Sequence, residues 1–430
     1  MLIAFATATV AALLTVLAPR AHAAFYAAAG AVWLSVMIPS HTPPRDVLLA
    51  SAIMALALLV FGVVRSGPEI RRYSSPNGWL IALIVVMTMR SAIDAEGPYR
   101  YFVIASGALT LGIAVIASVS WPGQESRQLI PWAVLVVLFV QLALTVTEEF
   151  LGLKAVWPLS NGSDNLTSRV NGLAPFLDGR ALGSMGHPIP LGVLAGAAAA
   201  TSWWLLVERR QRLALIPLLA SAAVLLFSGT RSAVFALALA VAYLYISRAK
   251  LRALPAFTLG ALAVVVVAAT SDLPRLFGFS AVATTDSFTH RFGVLQLIPE
   301  LFNRDLMAFF LGSGYQSVAA ELSVSSVGVD GIMVFDQEYL RTAWSIGALG
   351  LLLLVASIVA GWRRGGSLHR MIIIILIVML ASWDALSWNF GLTLFVLAVS
   401  CPRARPPAQR LLVERNTRKL ISYERERSPT

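Results

Sequence analysis

Long apolar runs, separated by short polar breaks, occupy most of the chain. They lie at about 2 to 18, 23 to 38, 47 to 64, 78 to 93, 101 to 120, 129 to 147, 189 to 207, 213 to 228, 232 to 247, 254 to 270 and 342 to 361. The hydrocarbon core of a bilayer is about 30 Å thick and takes roughly 20 apolar residues of helix to cross. The pattern therefore predicts an all-α, polytopic membrane helix bundle.

The stretch from 371 to 400 is apolar at both ends and polar in its middle, which reads W-D-A-L-S-W-N. Its two flanks are basic, and cytoplasmic flanks attract lysine and arginine. We therefore expect a tight hairpin of two short helices here, which brings the total to about 12 or 13 crossings. The first run, followed by Ala21-His22-Ala23, imitates a secretory signal. Because it lacks a positively charged start, we interpret it as an uncleaved helix.

Basic residues cluster in alternate breaks, and this sets the expected orientation. The clusters lie at 71–72, 209–212, 248–252 and 363–370, and the tail 402–430 is also basic. The positive-inside rule places these clusters and the tail in the cytoplasm. The bundle then covers 1–401, and two long segments, 148–188 and 271–341, become periplasmic loops. Loops of this length are usually functional.

Composition supports a membrane protein, since 58% of residues are hydrophobic and only 13% are charged, against about 25% charged in soluble proteins. The formal net charge of +11 is then topology charge, and we expect no nucleic acid partner. Cys401 is the only cysteine, which excludes an internal disulfide. The histidines are scattered without ligand spacing, so we expect no metal site: His22, His41, His187, His290 and His369.

Charged residues near the periplasmic ends are the candidates for chemistry. Arg231 opens a helix in the run S-G-T-R-S-A, where snorkelling to the interface is the alternative reading. The acidic run Asp336-Gln337-Glu338 precedes a helix, where plain capping is the alternative. Arg90 and Asp384 are a deeper pair of opposite charges, and no sequence pattern says that they meet. The segment 288–310 mixes apolar and charged residues as an interfacial helix would, and the G-S-G that follows at 312–314 is a turn.

The order of these features resembles the family of O-antigen ligases and Wzy-type O-antigen or exopolysaccharide polymerases. The resemblance covers roughly 165 to 360. It rests on R-A-L-G-S-M-G-H-P-I-P-L-G before a helix, S-G-T-R-S-A at Arg231, Arg291 ahead of an amphipathic segment, F-L-G-S-G-Y, and F-D-Q-E-Y-L-R-T-A-W-S-I-G-A-L-G. The ligases have a His-Asn pair where this chain has Asp336-Gln337, and that difference favours a polymerase.

The resemblance implies a metal-independent, inverting glycosyltransferase of the GT-C type without a cofactor. It would polymerise undecaprenyl-diphosphate-linked oligosaccharide repeats at the periplasmic face of a bacterial inner membrane, beside a flippase and a chain-length regulator. The roles implied by this resemblance are general base for Asp336, with Glu338 in reserve, and diphosphate binding for Arg231 and Arg291. We add the remaining loop residues as candidates, with Arg180 and Arg169 for the diphosphate and His187, Tyr339 and Arg275 for other parts of the substrate.

Physical chemistry agrees with these roles. Guanidinium groups bind phosphate oxygens in bidentate fashion and stay charged, so two of them can stabilise a leaving diphosphate. A carboxylate held against a sugar hydroxyl can act as general base. Two alternatives stay open: a ligase that transfers the glycan to a lipid A core, and a polysaccharide transporter or flippase.

Overall fold

Helices form the regular structure of the residues described, which contain no strand. The computed structural model describes residues 2–19, 23–38, 45–67, 76–119, 126–152, 156–157, 171, 173–174, 176–177, 179–248, 297–314 and 337–400. The helices up to residue 248 are α1 (Leu2–Leu17), α2 (Ala23–Met37), α3 (Arg45–Ser66), α4 (Gly78–Asp94), α5 (Pro98–Val119), α6 (Ser126–Leu151), α7 (Pro188–Glu208), α8 (Leu215–Ser228) and α9 (Arg231–Arg248). The later ones are α10 (Ile298–Phe302), α11 (Leu306–Leu311), α12 (Glu338–Ser345), α13 (Gly347–Arg364), α14 (Ser367–Leu380) and α15 (Asn389–Val399).

Except for the run at 342 to 361, each predicted apolar run that falls on the described residues coincides with a helix to within a few residues. The run at 254 to 270 lies outside them. Five helices, α3, α5, α6, α7 and α13, contain stretches long and apolar enough to cross a membrane. Large apolar side chains such as Leu17, Val64 and Leu219 are exposed on the outside of the bundle, where a bilayer would cover them. The chain is an all-α, multi-pass membrane protein.

The hairpin predicted at 371 to 400 is present. Helices α14 and α15 are joined by a turn that includes a short 3-10 helix, Ala385–Ser387. The turn is buried: Trp383, Asp384, Ala385 and Leu386 are each less than a tenth exposed. A buried turn must satisfy its peptide groups within the protein, and this requirement shapes the site described below.

The run predicted at 342 to 361 is divided into two helices. α12 ends at Ser345, and α13 begins at Gly347, whose φ of 72° lies in the left-handed region. A Cβ atom at Gly347 would stand 2.3 Å from the backbone carbon of Phe310. The break therefore exists because the chain around 310 to 314 packs directly against it, a contact that no local pattern reveals.

The segment expected to form one interfacial helix over 288–310 contains two short ones where it is described. α10 and α11 are separated at Asn303, Arg304 and Asp305. Asp305 caps α11, since its Oδ1 accepts a bond of 2.9 Å from the N–H of Ala308. The turn at 312–314 follows α11, and the N–H of Ser313 donates to the carbonyl of Trp344 over 3.1 Å.

Side-chain bonds between helices sort their ends into two groups. At the basic end, Trp204 Nε1 donates to Ser367 Oγ over 3.0 Å and Arg370 donates to the hydroxyl of Tyr243 over 3.3 Å. This end carries the clusters at 209–212 and 363–370. The other end, called the site end below, comprises 36–38, 94–99, 180–188, 228–231, 304–314, 337–346 and 381–389. These two basic clusters therefore lie at the same end of the bundle; the cluster at 71–72 and the tail lie outside the described residues.

Candidate functional site

The predicted site residues divide between described and undescribed parts of the chain. Arg180, His187, Arg231, Glu338 and Tyr339 are described and belong to the site end. The remaining candidates, including the first choice for the base, lie outside the described residues: Arg169, Arg275, Arg291 and Asp336.

The segment before α7 is held to α6 by two polar side chains. Glu148 Oε2 accepts bonds from the N–H groups of Leu182, 2.9 Å, and Gly183, 3.2 Å. Two turns earlier on α6, Gln141 donates to Ser184 Oγ over 2.5 Å and accepts from the N–H of Ser184 over 2.9 Å. These bonds explain why R-A-L-G-S-M-G contains so few bulky residues, since its backbone lies directly on α6.

Arg180 lies against the turn that leads into α9. Its Nε donates to the carbonyl of Ser228 over 2.8 Å, and its Nη2 donates to Thr230 Oγ1 over 3.2 Å. Thr230 in turn donates to the carbonyl of Pro188 over 2.9 Å. Arg180 therefore contacts the turn that leads directly into Arg231, the exposed residue predicted with it as a diphosphate ligand.

Glycine is required in the middle of this turn. Gly229 has a φ of 61°, which side chains rarely tolerate. A Cβ atom there would also stand 2.7 Å from Asn171 Oδ1 and 3.2 Å from Arg180 Nε. Glycine in the S-G-T-R motif thus allows the backbone of the turn to lie against the Arg180 guanidinium.

His187 connects this turn to the hairpin. Its Nδ1 accepts from the N–H of Ile189 over 3.2 Å, so His187 caps α7. Its ring lies 5.6 Å, centre to centre, from that of Trp388. The Trp388 indole N–H donates to Asp384 Oδ1 over 3.0 Å. A ring contact and a hydrogen bond therefore join the α7 cap to the hairpin turn.

Asp384 is paired with an arginine that the sequence did not single out. Arg341, on α12, donates to Asp384 Oδ2, and Ser387 Oγ donates to the same oxygen over 2.7 Å. Arg90 has a different partner, Asp94, 3.5 Å away on its own helix. Arg90 and Asp384, the two deeper charges of opposite sign in the sequence, therefore pair with other residues and not with each other.

Glu338 is fully buried, and both its carboxylate oxygens accept hydrogen bonds. Thr342 Oγ1 donates to Oε1 over 2.8 Å, and the N–H of Leu386 donates to Oε2 over 2.8 Å. Glu338 therefore satisfies a peptide group of the buried hairpin turn instead of capping its own helix. Burial raises the pKa of Glu338 from 4.5 to about 7, with Arg341 opposing that rise.

Tyr339 faces α14, where its hydroxyl donates to the carbonyl of Ile377 over 3.0 Å. Burial raises the pKa of this phenol, so its hydroxyl keeps the proton at neutral pH. In this arrangement Tyr339 fixes α12 against the bundle.

A cavity of about 180 Å³ opens beside the Arg341–Asp384 pair. It lies between α4, α5, the hairpin turn and the start of α15. Its polar lining comes from these side chains and Arg341: Thr88, Ser91, Tyr99, Ser106, Thr110, Ser387 and Asn389. Sequence reasoning missed it because hydroxyl residues inside apolar helices are common and carry no motif.

The arrangement offers two kinds of chemistry at one end of the bundle. Two arginines at a helix start can bind a diphosphate, and a polar cavity with an ion pair can bind a small hydroxylated group. No protein-family model matches the chain, and no curated protein matches it either.

Proposed function

We propose that this protein is a membrane polysaccharide polymerase, which joins lipid-diphosphate-linked oligosaccharide repeats at the face opposite its basic end. The proposal takes its substrate class from the resemblance of the loop motifs to the ligase and polymerase family. The single structural observation that supports it most is the placement of Arg180 on the turn before Arg231.

A leaving diphosphate needs positive charge fixed in place. The N–H groups at the start of an α-helix attract anions, and α9 begins at Arg231 itself. Arg180 is fixed beside this helix start by its bonds to Ser228 and Thr230. Together these groups favour a diphosphate over an uncharged ligand.

The transfer itself is a displacement at the anomeric carbon. The acceptor hydroxyl oxygen bonds to that carbon from the opposite face, the carbon–oxygen bond to the diphosphate breaks, and lipid diphosphate leaves. The hydroxyl proton goes to the general base. Of the two carboxylates proposed for this role, Glu338 is disfavoured because it has no exposed surface and both its oxygens accept bonds within the protein. Asp336 therefore remains the proposed base.

The experiment is a polymerisation assay with purified protein in lipid nanodiscs and a lipid-diphosphate repeat unit. Wild-type protein should build a ladder of products, with and without a chelator. Arg180→Ala and Arg231→Ala should each lower the rate by about 10²- to 10³-fold, the scale on which loss of one electrostatic donor acts. Arg209→Ala is the control, since Arg209 lies over the Trp204 ring at the basic end.

Other products would decide between the alternatives. Wild-type rates in both arginine variants would remove the site assignment. A single addition onto a lipid A core would indicate a ligase, and movement of the lipid-linked repeat across a bilayer without bond formation would indicate a flippase.

A further inference from the structure

The geometry points to the cavity beside Arg341 and Asp384 as a separate subsite for the terminal sugar of the acceptor glycan, bound as an uncharged ring. This inference rests on the proposed function for the identity of the acceptor. It adds a second binding position, away from the arginines at the start of α9.

The lining of the cavity matches a sugar ring, which has polar edges and apolar faces. Hydroxyl groups come from α4 through Thr88 and Ser91 and from α5 through Ser106 and Thr110. Phe102, Val103, Leu386 and Leu392 supply apolar surface between them. Pockets for small ligands combine an apolar lining with a few placed polar groups, and this one is unusually rich in hydroxyls.

Charge separates this cavity from a diphosphate site. Among the described side chains that line it, Arg341 is the charged one, and its guanidinium is paired with Asp384. An ion pair presents donors and acceptors with little net charge, so it favours a neutral hydroxylated ligand over an anion. The start of α9 has the opposite character, with Arg180 and Arg231 close to a helix N-terminus.

The size of the cavity limits what it holds. The volume of the cavity is about 180 Å³. Sites for drug-sized ligands begin near 300 Å³. The cavity therefore accommodates one sugar ring, with the rest of the glycan outside it.

Two close contacts position the helices that form the cavity wall. A Cβ atom at Gly107 would stand 2.2 Å from Thr88 Oγ1, so glycine allows α5 to approach α4 at the cavity wall. Asn389 Nδ2 donates to the carbonyl of Ile38 over 3.0 Å, which fixes the start of α15 on the other side. These two contacts hold opposite sides of the cavity in place.

Protection from thiol labelling tests the inference without relying on activity. Cys401 is the only cysteine, so Ser106→Cys and Ser91→Cys can be placed one at a time in a Cys401→Ser background. N-ethylmaleimide should label both. Free repeat-unit oligosaccharide, at ten times its Kd, should slow labelling about tenfold, and inorganic pyrophosphate should not.

A cysteine at Phe176→Cys is the control, because Phe176 is 82% exposed and lies outside the cavity; its labelling should be unaffected by either compound. Absence of labelling at both cavity positions would overturn the inference, and so would protection by pyrophosphate or no protection at all.

The assay also separates failure of this inference from failure of the proposed function. If the oligosaccharide protects the cysteines but the protein builds no ladder, the sugar subsite is supported and the polymerase proposal is contradicted. If the protein builds a ladder but the cysteines are not protected, the polymerase is supported and the sugar subsite is contradicted. Where the ladder forms, Ser106→Leu should raise the KM for acceptor about tenfold with little change in kcat, whereas Ala108→Leu, on the exposed side of α5, should leave both unchanged.

Discussion

Glu338 shows how one buried carboxylate serves two elements. Its Oε1 accepts from Thr342 one turn along α12, and its Oε2 accepts from the N–H of Leu386 in the hairpin turn. An unsatisfied buried N–H costs about 1 to 3 kcal/mol, so the carboxylate makes the turn possible. Glu338 is thus a structural residue of the D-Q-E-Y motif, and this role is independent of the one proposed for Asp336.

Replacing Glu338 with glutamine should flatten the pH dependence of stability. A pKa of about 7 in the folded protein against 4.5 ordinarily means that the folded state binds the proton more tightly. Stability from this group is therefore fully present below pH 4.5 and is lost as pH rises to about 7. At about 1.4 kcal/mol per pH unit, the loss is about 3 kcal/mol at most.

Apparent melting temperatures between about pH 5 and about pH 8 measure this effect. The difference between wild type and Glu338→Gln should grow as pH rises, with the variant relatively more stable at the upper end. Glutamine can still accept from Leu386 and donate to Thr342, so packing is preserved. Parallel melting curves for the two proteins would contradict the prediction. Arg341, Asp384 and Tyr339 are present in both proteins and are coupled to the Glu338 carboxylate, so the measured difference includes their interactions with it.

Among the elements, the break between α12 and α13 is the place where the turn at 312–314 is attached to the bundle. The turn at 312–314 donates from Ser313 and Gly314 to the carbonyls of Trp344 and Ser345, and Arg304 lies over the Trp344 ring at 4.5 Å. Helices α10 and α11 are thereby attached to the part of the chain that carries Glu338 and Arg341.

Gly347→Ala should release this attachment. The left-handed conformation costs a side chain about 1 to 2 kcal/mol, and the new Cβ would stand 2.3 Å from the Phe310 backbone. We expect a lower apparent melting temperature and faster proteolysis between 302 and 314. Gly366→Ala is the matched control because nothing lies within 4 Å of a Cβ atom there. Equal melting temperatures for the two variants would contradict the proposed docking.

The helices could be predicted from sequence and most of the site could not. A run of apolar residues specifies its own span, so α1 to α9 and the hairpin were expected close to where they lie. The contacts that build the site join residues far apart in the chain, such as Arg180 with Ser228, Arg341 with Asp384 and Glu338 with Leu386. No local periodicity encodes such pairs. Arg341 in particular was missed because it follows the more conspicuous acidic run.

At the scale of the whole molecule, the two ends of the bundle differ in kind. Basic residues gather at one end, while the Arg180 turn, the buried hairpin turn with its Arg341–Asp384 pair and the cavity beside that pair lie at the other. By the positive-inside rule the basic end faces the cytoplasm, so the site end is expected to face outward, where lipid-linked glycan would be polymerised.

Single cysteines at the two ends test this orientation. Leu213→Cys, at a position 80% exposed at the basic end, and Phe176→Cys, 82% exposed at the site end, would be made in the Cys401→Ser background. In intact cells with a permeable outer membrane, an impermeant maleimide should label Phe176→Cys and spare Leu213→Cys. Labelling of Leu213→Cys alone would reverse the orientation and place the site in the cytoplasm.

The cavity walls come from α4, α5, α12, the hairpin turn and α15, which are separated by some three hundred residues of chain. A ribosome delivers these segments to the translocon in order, and α15 arrives after the other elements of the wall. The upstream helices can insert and associate by then, but Glu338 has no Leu386 to accept from and Arg341 has no Asp384 to meet. If the cavity is the proposed sugar subsite, a nascent chain halted before 389 should not bind the oligosaccharide, because the hairpin turn and the start of α15 that complete its wall have not been made.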